Sequence, residues 1–76
     1  MKQIKKTIYN IDKVYYNAWA LGRITLYEML DKSESKNFYN NLNMVKYVDN
    51  LREKYPQNKI FRVLKYDGQI IENKFI

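Results

Sequence analysis

Residues 59–76, "KIFRVLKYDGQIIENKFI", decide how this chain folds. Asp67-Gly68 stands between two apolar-rich runs, and such a dipeptide suits a two-residue type I′ turn, in which both central residues take positive φ. A two-residue loop sets the expected register: Tyr66 opposite Gln69, Leu64 opposite Ile71, Arg62 opposite Asn73 and Ile60 opposite Phe75. Alternation along the strands then assigns Ile60, Leu64, Tyr66, Ile71 and Phe75 to one core face. The other face mixes Phe61, Val63 and Ile70 with Lys59, Lys65, Glu72 and Lys74.

Working backward from the hairpin, Pro56 ends a helix in which Met44, Val48, Leu51 and Tyr55 recur at helical spacing with Val45 alongside. Asn43 is its expected cap, with Ser35 and Asn37 as earlier starts. The polar stretch 31–43, "DKSESKNFYNNLN", reads as a connector. Before it, "VYYNAWALGRITLYEML" over residues 14–30 reads as one helix, capped by Asp12 and stapled by Ile11 against Tyr16. Its core stripe is Ile11, Val14, Tyr15, Ala18, Gly22, Thr25, Leu26 and Met29, flanked by Trp19 and Leu30. A glycine at the centre of such a stripe predicts close approach by another backbone. At the N-terminal end, "KQIKKTIY" alternates as a short strand with Ile4 and Ile8 inward. Lys6 beside them would guard an exposed edge.

These elements give the order β-α-α-β-β over residues 1–76, a single small α+β domain. The N-terminal strand and the C-terminal hairpin form a short antiparallel sheet, packed on two helices that cover one side.

Composition narrows function. The chain has 76 residues, so its core is small and needs a staple such as a disulfide, a metal or a partner. It contains no cysteine and no histidine, which removes disulfides, thiolate chemistry and the usual zinc ligands. Catalysis is not expected: Ser33, Ser35, Thr7 and Thr25 stand in no nucleophile motif, and Glu28, Asp31 and Glu34 read as a solvated acidic turn. No cofactor is expected. The start "MKQIKK" imitates a secretory leader, but Asn10, Asp12, Lys13 and Asn17 interrupt the apolar segment. Asn17, Arg23 and Glu28 likewise break the best candidate for a membrane span. A cytoplasmic location without membrane contact is the expectation.

The net charge is +6, concentrated at Lys2, Lys5, Lys6 and Lys13 and again at Lys46, Arg52, Lys54, Lys59, Arg62 and Lys65. Such a field favours anionic partners, although the chain is also rich in Lys, Asn, Ile, Tyr and Phe, which A/T-rich codons specify. Small chains of this composition suit a phage or other mobile element.

Two surfaces are candidate sites. Opposite the core stripe of the first helix, Tyr16, Ala20, Arg23 and Tyr27 recur with Ile24 beside them, a second stripe rich in the residue types that dominate protein interfaces. This predicts a non-enzymatic interaction protein that binds and modulates or inhibits a larger protein or nucleoprotein. The alternative is nucleic-acid binding by Lys59, Phe61, Lys65 and Lys74 on the outer face of the hairpin with Lys5 from the N-terminal strand, stacking bases and neutralising phosphates. A third reading is a homodimeric structural subunit that turns the tyrosine stripe on itself.

A short basic strand followed by two helices resembles the outline of the ribbon-helix-helix repressors over residues 2–55. The resemblance implies that Gln3, Lys5 and Thr7 reach a DNA groove. The first helix is longer than that outline and the C-terminal hairpin lies outside it, so membership is not assigned.

Overall fold

A computed structural model describes residues 4–76; Gln3 lies outside them. The elements are β1 (Lys5–Ile11), α1 (Lys13–Ala20), α2 (Leu26–Asp31), β2 (Glu34–Phe38), α3 (Asn41–Lys54), β3 (Lys59–Tyr66) and β4 (Gln69–Phe75). The domain is α+β, as expected, with an antiparallel sheet in the order β2-β1-β3-β4.

Two differences from the expected chain order have identifiable causes, the first local and the second not. First, the long helix is two helices. Gly22 adopts φ 74°, and after it the Arg23 N–H donates to the Ala18 carbonyl at 2.8 Å while the Gly22 N–H donates to that of Trp19 at 3.0 Å. This bonding closes a helix through a left-handed residue. A Cβ at Gly22 would meet nothing within 4 Å, so the glycine serves backbone conformation and not close approach. Thr25 then restarts the helix with a capping box: its hydroxyl accepts from the Glu28 N–H at 3.1 Å, and Glu28 accepts in return from the Thr25 N–H at 3.3 Å. Thr25 is therefore a cap and not a core-stripe residue, and Val14 of that stripe is exposed.

Second, the connector contains strand β2, which pairs with β1 from Lys6↔Phe38 to Asn10↔Glu34. Its polar sequence lacks intrinsic strand character, and pairing with β1 supplies what propensity does not. β1 is thus interior to the sheet. Lys6 does share the face of Ile8, but it guards no edge; it donates to Asn41 Oδ1 at the start of α3. Asn40, not Asn43, caps α3, accepting from the Leu42 N–H at 2.8 Å.

The helices lie on both faces of the sheet. Met44, Val48 and Leu51 of α3 cluster with Ile8, Phe38 and Ile60 on one face. On the other, Met29 and Leu30 of α2 cluster with Ile11, Phe61 and Val63, and Tyr15, Tyr16 and Trp19 of α1 pack around them. Residues alternate between faces along each strand, so β1 and β3 must be apolar on both sides. The one-sided assignment of the hairpin fails for this reason. Ile60 is buried as expected, but so are Phe61 and Val63 of the supposed outer face, whereas Tyr66, Ile71 and Phe75 are exposed.

The hairpin turns at Asp67 (φ 54°) and Gly68 (φ 80°), the expected positive-φ pair, and Tyr66 faces Gln69. A bulge next to Lys65 then shifts the register by one residue. Leu64 faces Glu72, Arg62 faces Lys74 and Phe61 faces Phe75. One extra residue on β4 moves every later β4 side chain to the opposite face from the one a regular hairpin assigns.

Candidate functional site

The break at Gly22 determines which aromatic residues remain outside. With α2 rotated free of α1, its buried residues Met29 and Leu30 turn toward the sheet, and Tyr27 is left 72% exposed. Ile24 before the cap and Met29 after it belong to one cluster and fix the entry of the chain into α2, as Ile11 and Tyr16 do for α1.

Tyr27 stands on the wall of an open groove of about 610 Å³, with Glu28 and Asp31 of α2, Tyr9 of β1, Lys65 of β3 and Ile70 of β4. Leu30, Ser33 and Ser35 complete the lining; the Ser33 hydroxyl is already engaged, donating to the Met29 carbonyl at 2.7 Å. The groove offers two carboxylates, one ammonium and two phenols. Burial pushes the Tyr9 phenol above its ordinary value of 10.0. Among the described residues no three acidic side chains converge as they would around a metal ion.

The five residues expected to form one partner-binding stripe differ in exposure. Tyr16 is half-buried, its ring edge-on to Phe75 at 5.1 Å, with the Lys59 ammonium 5.4 Å from its centre. It closes the core beneath α1. Ala20 is exposed at the last position of α1, Arg23 is exposed in the break, and Ile24 is half-buried against the core. Of the five, Tyr27 alone lines the groove.

The hairpin residues separate in the same way. Phe61 is 3% exposed and meets Phe75 edge-on at 4.7 Å, so it presents no ring to a base. The bulge puts Lys74 opposite Arg62, on the α3 face, where it pairs with Glu72 at 3.4 Å. Lys59 caps the Tyr16 ring. Lys5 and Lys65 remain together: the register sets them directly opposite each other, both half-buried.

Tyr9 and Ile70 were not expected in a site, although alternation set Ile70 on one face with Lys65; the groove exists only where β1, α2 and the hairpin converge. The split helix did carry a signal in Gly22 followed by Thr25-x-x-Glu28, a helix stop and a helix start. Comparison of the chain with protein-family models, with curated proteins and with solved structures finds no match.

Proposed function

We propose that the chain is a non-enzymatic interaction module that binds and modulates a larger protein or nucleoprotein in the cytoplasm, using the groove beside Tyr27. The observation that carries this reading is the exposure of Tyr27 of α2 on a groove of mixed charge, while the aromatic residues of α1, Tyr15, Tyr16 and Trp19, pack at least partly on the core. A rigid phenol ring gives contact area at low entropic cost, and Glu28, Asp31 and Lys65 around it supply orientation. No helix among the described residues is long and apolar enough to cross a membrane.

The test is affinity capture from a native lysate with the wild type and with Tyr27→Ala. Loss of a hot-spot tyrosine costs about 2 kcal/mol or more, so the variant should lose its captured partner while its circular dichroism is unchanged. Equal capture by the two proteins would overturn the groove as the binding site.

A second reading, nucleic-acid binding, is supported by the direct opposition of Lys5 and Lys65. Like charges facing across a sheet repel, and a phosphate would relieve them. In that case affinity for single-stranded DNA falls steeply with salt, and Lys5→Ala with Lys65→Ala flattens the slope.

A further inference from the structure

We propose that two copies of this chain join edge to edge through β4, in antiparallel register about a two-fold axis at Asn73, to make one continuous eight-stranded sheet. The inference does not depend on the groove.

β4 and β2 are the two sheet edges. β2 is short and polar, whereas β4 carries Ile70, Ile71 and Phe75, all exposed. A long edge with exposed apolar residues is a template for another strand unless something blocks it. The bulge lies near the turn and leaves Glu72–Phe75 regular. The Ile76 N–H donates to the Ile60 carbonyl at 3.1 Å. Because hydrogen bonding alternates along an antiparallel ladder, Lys74 and Glu72 also bond inward to β3, and the backbone groups of Asn73 and Phe75 point outward.

Those outward groups restrict self-pairing to registers in which odd-numbered residues face odd-numbered residues. Charge then selects among them. An axis at Glu72 sets carboxylate against carboxylate, and an axis at Lys74 sets ammonium against ammonium. An axis at Asn73 sets Glu72 of each copy opposite Lys74 of the other, twice over, within the regular stretch, and leaves Phe75 beside the bulge at Ile71. Opposite charges directly across a sheet attract. In the single chain Lys74 faces the like-charged Arg62 and shares Glu72 with it, at 3.4 Å and 3.3 Å. The second copy's Glu72 gives Lys74 a carboxylate of its own.

The test is sedimentation equilibrium of the full chain over a range of concentration, with E72K, K74E, the double swap, and an equimolar mixture of the two single variants. Each single reversal sets like charges against each other at both symmetric positions and should weaken the dimer on the order of tenfold. The double swap should restore it. The mixture should form a heterodimer even where each variant alone is monomeric, because E72K against K74E is complementary at both positions. That rescue separates the interface from loss of the internal Arg62–Glu72 bridge, which mixing cannot repair. A wild type that is monomeric at every concentration, or a dimer indifferent to both reversals, would overturn the proposal.

Discussion

Gly22 divides into two helices a stretch that reads in sequence as one. In a continuous helix its replacement by alanine would stabilise by about 1 kcal/mol. At φ 74° the same change forces an L side chain into the left-handed region, at a cost of roughly 1 to 2 kcal/mol. Gly22→Ala is therefore expected to lower stability in urea unfolding, and the sign of the change distinguishes two helices from one. Tyr9 and Tyr47 make a second residue-scale prediction. Burial raises both phenols above 10.0, and the Glu34 carboxylate adds to the effect at Tyr47. Below that value both are neutral in the folded and unfolded chain, and they give stability no pH dependence. As pH rises past it, the unfolded chain releases these protons while the fold retains them, so stability falls with increasing pH. Tyr9→Phe and Tyr47→Phe should each flatten that fall, as followed by denaturant unfolding alongside tyrosinate absorbance.

At the scale of elements, α2 depends on its ends. It has six residues, too few to persist as an isolated helix, and is held by the Thr25–Glu28 capping box and by Met29 and Leu30 in the core. Thr25→Ala should cost about 1 kcal/mol and raise amide hydrogen exchange across Leu26–Asp31 before it affects α3. Strand β2 presents the converse case. Glu34–Phe38 has one buried residue, Phe38, whose ring lies 5.1 Å from that of Tyr47. Nothing in its composition distinguishes it from a loop, and it is a strand because β1 offers an unpaired ladder beside Phe38 and the Thr7 hydroxyl donates to Asn37 Oδ1 at 3.0 Å. By contrast α3 was legible from Met44, Val48 and Leu51 alone, since spacing on a helix reports the buried face directly.

At the scale of the molecule, two small clusters share one sheet. β1 contributes Ile8 to one and Ile11 to the other, and β3 divides Ile60 from Phe61 and Val63 in the same way. Loss of either cluster removes the support of the strands that carry both, so unfolding is expected to be a single transition. A domain of this size holds only about 3 to 5 kcal/mol, and truncating a fully buried side chain to alanine costs roughly 2 to 5 kcal/mol. Met29→Ala and Ile8→Ala, on opposite faces, should each remove most of that stability and lower the urea midpoint followed by circular dichroism. Two separate transitions in either variant would show that the faces melt independently.

The turn at Asp67-Gly68, the cap at Asp12, the end of α3 before Pro56 and the α+β class were all readable along the chain, because each depends on φ preferences and spacing within a few residues. The strand status of Glu34–Phe38, the bulge that carries Lys74 to the face of α3, and the burial of Phe61 and Tyr16 were not. Those outcomes depend on which strand lies beside which and on which helix covers which face. The same apolar residue reads identically in sequence whether it closes a core, as Tyr16 does, or stands out from it, as Tyr27 does; packing between distant segments alone distinguishes them.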